Sequence, residues 1–198
     1  MSIDRREAIK KTALMMGGAL SAPTILGVLN GCTPSMEPNW VPRFFTKEQA
    51  VTVMELTETI IPKTNTPGAK DIGVPQFIEE MVSTIYSLED RTKFMKGLQA
   101  FETECDDKMG DPFGYLEPNK KLSFTMQKDR DIKQYKGVDF DEEGIEKPFF
   151  WTFKELTLLG YFTSEVGATK VLQHKFVPTK WEGCIPLTEA GEGKTWSM

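Results

Sequence analysis

The sequence predicts an all-α protein, an irregular array of five to six helices ending in a long irregular carboxy-terminal tail. Three observations carry that expectation. Apolar residues recur at every third or fourth position through most of the chain after residue 46, the period of a helix with one face turned inward. Proline and glycine punctuate these runs where helices would start and stop. No internal repeat is visible, and the runs are short, which argues against a bundle of long helices.

Residues 1–31 read as a leader rather than as part of that array. Asp4 to Lys10 is a basic stretch carrying the pair Arg5-Arg6, and a weakly apolar run from Thr12 to Leu29 follows it. The run ends in Leu29-Asn30-Gly31-Cys32. This arrangement resembles a twin-arginine export signal joined to a lipoprotein cleavage box, in which Arg5 and Arg6 are read by the translocase and Cys32 carries the lipid. A plain cleaved signal and an uncleaved anchor are the alternatives. Against the anchor, Gly17, Gly18, Ser21, Pro23 and Gly27 interrupt a stretch that would need ~20 solidly apolar residues to span a bilayer. Residues 32–45 hold Pro34, Pro38 and Pro42, so they read as a lipidated, extended tether. Residues 46–198 form the single helical domain.

Within that domain, Thr46-Lys47-Glu48-Gln49 fits a capping box, and Val53, Leu56, Thr57, Ile60 and Ile61 share one face until Pro62. A loop over 63–73 follows. Pro75 suits the first turn of a second helix, whose stripe is Phe77, Ile78, Met81, Val82 and Ile85. A third helix is expected from about Asp90 to Cys105, with Phe94, Leu98, Phe101 and Cys105 inward, then a loop from Asp106 to Pro118. The charged segment Leu122 to Tyr135 reads as helical. Phe149, Phe150, Phe153, Leu156 and Leu159 mark the most apolar helix, which Gly160 is expected to interrupt. A further helix is expected over Ser164 to Gln173, and an irregular tail over Val177 to Met198.

Composition excludes several chemistries. The formal charge of −5 argues against nucleic-acid binding, which needs a basic face. One histidine, His174, rules out zinc sites built on several histidines, and three cysteines are too few for a four-thiolate iron–sulfur cluster. With Cys32 assigned to the lipid, Cys105 and Cys184 remain in an exported protein, where cysteines usually pair. Their disulfide would close a loop of about 80 residues, worth roughly 4.5 kcal/mol on the chain-entropy argument. Two separate thiols are the alternative.

The remaining motifs are weak. Gly193-Lys194-Thr195 resembles the end of a phosphate loop, but Thr188 stands where the first glycine belongs and no helix follows. Asp139 to Gly144 resembles the start of a calcium loop, yet Phe150 occupies the place of the bidentate ligand. A solvated acidic turn is the better reading. Glu102, Glu104, Asp106, Asp107 and Asp111 read as a charged helix end rather than acid–base machinery. No catalytic, metal or cofactor-binding residue is therefore assigned.

The aromatic residues are more informative. Phe149, Phe150 and Trp151 must point in three successive directions, so one of them is expected to meet another surface. Trp151, Tyr161, Phe162 and Trp181 are the candidate partner interface, with Trp196 beside them, because aromatics are enriched where proteins meet. A wide core is the competing explanation.

From Phe149-Phe150-Trp151 through Gly160-Tyr161-Phe162-Thr163-Ser164-Glu165-Val166-Gly167, and on to Val177-Pro178 and Trp181-Glu182-Gly183-Cys184, the chain resembles the gluconate 2-dehydrogenase subunit 3 family. Ile60-Ile61-Pro62, Thr66-Pro67-Gly68-Ala69 and Gly73-Val74-Pro75-Gln76-Phe77-Ile78 resemble its amino-terminal half. His174, Lys175 and Thr179 depart from the expected pattern. The resemblance implies a non-catalytic accessory subunit that pairs with a large FAD-dependent dehydrogenase of the glucose–methanol–choline type, often beside a cytochrome c. It implies that the flavoprotein, lacking its own signal, is exported bound to the small subunit. FAD would then belong to the partner, since this chain has no Gly-x-Gly-x-x-Gly loop. The expected place is the periplasmic side of a bacterial envelope, lipid-anchored. Thr33, where an aspartate would favour the inner membrane, leans it to the outer one. A stand-alone ligand-binding or structural envelope lipoprotein is the alternative function.

Overall fold

The structure is a computed structural model that describes residues 37–177, 183–186, 188–189 and 193–197. Arg5, Arg6, Cys32 and Trp181 lie outside the described residues. Six α-helices and no strand are found among those described: α1 Lys47–Ile60, α2 Val74–Glu80, α3 Leu88–Met109, α4 Pro118–Ile132, α5 Phe140–Glu143 and α6 Phe149–Thr163. The all-α class is as the sequence predicts.

Helix α1 begins in the expected capping box. Gln49 N–H donates to Thr46 Oγ1 at 3.2 Å, and Thr46 N–H donates to Gln49 Oε1 at 3.0 Å. Two of the orphan donors at the helix start are thereby satisfied. Ala50, Val53, Leu56 and Thr57 are buried, and α1 packs against α2, α4, α6 and a 3₁₀ turn at Phe113–Tyr115. It stops at Ile61, one residue before Pro62.

Gly73, at φ +85°, makes the left-handed turn into α2, and Pro75 sits in its first turn. Ile78 and Val82 are buried as expected, but Ile85 is exposed. The cause is a π turn over Met81–Ile85, which directly continues α2. A π turn carries more residues per turn than an α turn, so Ile85 no longer lies over Ile78.

Helix α3 is capped by Ser87, whose Oγ accepts from Asp90 N–H at 3.1 Å, and ends at Gly110 with φ +83°. Its inner face is the predicted one: Phe94, Leu98, Phe101 and Cys105. The expected loop from Asp106 shrinks to 110–117, because the charged residues 106–108 tolerate a helix and glycine supplies the stop. Phe113 in that connection is fully buried between Phe101 and Phe124, with ring centroids 5.3 and 6.3 Å away.

Gly160 does not interrupt α6. A Cβ at this position would lie 2.5 Å from Phe77 Cδ1, so the missing side chain is what lets α2 approach. The expected helix over Ser164 to Gln173 is found as a shorter helical run over 165–171, whose last five residues form a π turn at Gly167–Val171. In the tail, Gln173 N–H donates to Thr195 O and Ser197 N–H to Gln173 O, each at 2.8 Å. That single bridge is the only regular pairing among the described tail residues.

The core is aromatic. Phe94 lies 5.2 Å from Phe149, 6.4 Å from Phe153 and 6.5 Å from Phe45, joining α3, α6 and the segment before α1. The expected disulfide is corrected here: Cys105 and Cys184 are both free thiols, the first buried and the second exposed. Cys105 faces inward from α3, where its Sγ lies 3.8 Å from Asp111 O, while Cys184 stands in water.

Candidate functional site

Two faces of α6 are apolar, and only one belongs to the core. Phe150, Phe153, Leu156, Thr157, Gly160 and Tyr161 are buried against the other helices. On the opposite side Trp151, Glu155, Leu158 and Phe162 follow one another at spacings of four, three and four residues, with Leu159 beside them. That spacing is one stripe along a helix. Leu158, Leu159 and Phe162 are exposed, and Trp151 is half-buried.

The stripe is ordered at its amino-terminal end. Trp151 packs edge-on against Phe140, ring centroids 5.5 Å apart, and its Nε1–H donates to Glu155 Oε1 at 2.8 Å. Lys147 Nζ holds the other Glu155 oxygen at 3.1 Å. The stripe therefore presents a tryptophan edge, one neutralised carboxylate and three apolar side chains.

Of the predicted interface residues, Trp151 and Phe162 come together here. Tyr161 is corrected: it is 2% exposed, and its hydroxyl donates to Pro67 O at 2.8 Å. It fastens α6 to the loop after α1 and offers nothing to a partner. Sequence reasoning did not single out Leu158, and took Leu159 only as one of the residues that mark the helix as apolar. The signal was available in the spacing from Trp151, which continues along the outer face.

The other candidates are held by their own neighbours. A groove of about 290 Å³ lies between α3, α4 and the start of α6, with Phe101, Phe149 and Tyr135 among its walls. Its charged groups pair with each other: Lys128 donates to Glu104 and lies 3.9 Å from Asp131, while Lys108 reaches Glu104 at 2.7 Å. Burial pushes Glu104 up, but the bonds from Lys108 and Lys128 outweigh it and hold its carboxyl below the usual range. Glu102, with burial as the main cause, is raised. Cys105 is pushed up to about 11 by burial, so its thiol stays protonated and unreactive.

His174 is exposed, its Nδ1 3.1 Å from Ser197 Oγ. Lys194 Nζ caps the carbonyl of Lys170 at 2.9 Å. Asp139 Oδ1 accepts from Glu142 N–H at 3.2 Å, closing the acidic turn into α5. Among the described residues no cluster of three or more histidines, cysteines and carboxylates could hold a metal. None of the helices among them is long and apolar enough to cross a membrane.

Two buried carboxylates shape the frame instead. Glu55 of α1 takes Lys121 Nζ at 2.7 Å and Lys70 Nζ at 3.3 Å, tying α4 and the loop after α1 together. Glu79 of α2 takes no cation among the described residues. Its Oε1 accepts the backbone N–H groups of Arg43, Phe44 and Phe45 at 2.9, 2.8 and 3.1 Å, and its Oε2 accepts Trp40 Nε1–H at 2.7 Å. Burial alone would raise Glu79, yet these four donors bring its carboxyl below the ordinary value.

Compared with known proteins, the chain matches the family model described as Gluconate 2-dehydrogenase subunit 3 over residues 47–183, from the first residue of α1 to beyond α6. No curated protein and no solved structure matches it.

Proposed function

The chain belongs to the gluconate 2-dehydrogenase subunit 3 family, and on that premise we propose that it is the non-catalytic accessory subunit of an exported, FAD-dependent sugar or polyol dehydrogenase. It escorts the large flavoprotein through twin-arginine export, stabilises it and tethers it to the membrane. The observation that carries this reading is the outer stripe of α6. Leu158, Leu159 and Phe162 stand in water on a helix whose other face is fully used by the core. Contiguous apolar side chains of that kind mark a surface that another molecule covers.

The division of labour follows from the chemistry each chain holds. FAD, bound in the partner, supplies the oxidation of the sugar. This chain contributes an apolar surface ordered by Glu155 and a leader whose Arg5 and Arg6 address the translocase. A twin-arginine route suits a cargo already folded around its flavin. Cys32 then carries the lipid that keeps the complex on the periplasmic side of the envelope, and a cytochrome c subunit can take the electrons.

The test is recovery of carboxy-terminally tagged protein from solubilised membranes, read by flavin absorbance and the mass of the co-eluting chain. A stoichiometric flavoprotein is expected, and it should disappear from the envelope when Arg5 and Arg6 are both changed to Lys. Recovery of a monomer without flavin would overturn the escort reading in favour of a stand-alone envelope lipoprotein.

A further inference from the structure

The five most exposed large apolar side chains among the described residues are Phe176 (92%), Val41 (85%), Leu88 (78%), Ile85 (64%) and Val177 (61%). Phe176 and Val177 adjoin the tail. The other three gather at the corner where the chain enters the domain.

That corner is rigidly built. Glu79 grips Trp40 and Arg43 on either side of Val41, then Phe44 and Phe45. Arg91 of α3 donates to Val82 O at 3.1 Å and to Ser83 O, joining the turn that ends at Ile85 to the helix that begins at Leu88. The same guanidinium lies 5.7 Å from the Phe44 ring. The incoming segment, the π turn and the start of α3 are thus one piece, with three aliphatic side chains on its outside. The π turn itself displaces Ile85 from the core stripe.

We propose that this corner, formed by Val41, Ile85 and Leu88, rests on the lipid surface to which the chain is tethered. The proposal relies on the reading of Cys32 as the lipid-bearing residue. Val41 lies nine positions after Cys32, and a fully extended chain spans at most ~3.6 Å per residue. The corner therefore stays within roughly 30 Å of the anchor point. Tethering at that distance holds a weak surface at millimolar effective concentration, so a few aliphatic side chains suffice without a large amphipathic helix.

Charge points to apolar contact rather than electrostatic adsorption. The chain carries a formal charge of −5, Arg91 is committed to carbonyls, and Lys93 is paired with Glu89 at 2.7 Å. Among the described residues Arg43 is exposed without an ion pair, a single cation at the corner rather than a basic patch. The contact should accordingly be only weakly sensitive to salt.

The experiment uses the full lipidated protein in vesicles of phosphatidylethanolamine and phosphatidylglycerol. With Cys184→Ser removing the exposed thiol, a polarity-sensitive dye is attached at Leu88→Cys or, as control, at Asp107→Cys near the other end of α3. The dye at 88 should shift to the blue and be quenched severalfold more by brominated acyl chains than the dye at 107. Adding Val41→Ser and Ile85→Ser should reduce that difference. Equal, weak quenching at both positions would overturn the proposal, as would shielding at 88 that arises only when the flavoprotein is added. Mass analysis of Cys32 separates the two premises. If it bears no lipid, the lipoprotein reading falls, and the corner is tested alone with a hexahistidine tag in place of Cys32 on nickel-chelating lipid.

Discussion

Helices α3 and α6 share one core but meet the outside differently. Phe94 and Phe101 of α3 interlock with Phe149 and Phe153 of α6, so the inner faces are equivalent. Outward, α3 shows Thr92, Lys93, Lys96, Gln99, Thr103, Asp106, Asp107 and Lys108, laced by Glu89–Lys93 and Glu104–Lys108 pairs. Outward, α6 shows Leu158, Leu159 and Phe162. Beyond Leu88 at its start, water and core between them account for the residue types on α3. They do not account for the outer face of α6, and that unexplained half is where the subunit's work is assigned.

The largest way to sharpen this contrast is within α6 itself. Phe153 is fully buried against the rings of Phe94 and Phe149, and Phe153→Ala should cost ~3–5 kcal/mol through lost contacts and the cavity left behind. Phe162→Ala, on the same helix, should cost less than ~1 kcal/mol. Urea unfolding of both variants measures the difference. Similar losses would mean that the outer face is core after all.

This asymmetry also sets what the sequence could reveal. The inner stripe of α3 was legible because polar residues bracket it, and the Thr46 box because two side chains satisfy each other locally. On α6 the 3.6-residue period is blurred by apolar residues all round, so Tyr161 read as surface. Gly160 read as a break because nothing local announces Phe77 lying across it. Ile85 was misplaced because a π turn leaves no mark in residue spacing. Glu79 was invisible for a different reason: its partners lie more than thirty residues away, and three of the four are backbone N–H groups, which carry no side-chain signature.

The next effect tests how closely the two helices meet. A Cβ on Gly97 of α3 would lie 2.5 Å from Phe149 Cβ of α6. Gly97→Ala gains roughly 0.5–1 kcal/mol of helix preference, yet overpacking against a ring held in the core costs ~1–3 kcal/mol. A net loss of stability is expected, measured as a lower urea midpoint with an unchanged slope. A stabilised variant would show that Phe149 yields, and that the inner faces are less tightly matched than their aromatic contacts indicate.

Acid should separate the regions further. Glu79 and Glu104 both have carboxyls held below their ordinary values, so each contributes stability that is present above the unfolded value of about 4.3. That contribution is lost as pH falls through the lower folded value, when the native carboxylates take up protons. Glu79→Gln should therefore lower stability at neutral pH and flatten the acid limb of the stability curve. Equilibrium unfolding across the acid range reads it. An unchanged limb would mean that the Glu79 carboxyl is not held below its unfolded value and adds nothing to acid stability.

The smallest effect on the fold should be the largest on assembly. Changing Leu158, Leu159 and Phe162 together to Ser removes apolar surface that already faces water, so each change should alter stability by no more than ~0.5 kcal/mol. The helix keeps its inner face, its Tyr161–Pro67 fastening and its Trp151–Glu155 bond. A partner seated on the stripe, however, would lose the dry centre that carries most binding energy at an interface. Co-purification of the flavoprotein should fall at least tenfold while the urea midpoint stays in place. Changing Lys96, Gln99 and Asp107 on α3 to Ser should leave both quantities nearly alone. If the flavoprotein follows the α6 variant undiminished, the stripe is idle and the partner must be sought on another face. If the variant unfolds, Leu158, Leu159 and Phe162 support the domain itself, and the contrast between the two helices disappears.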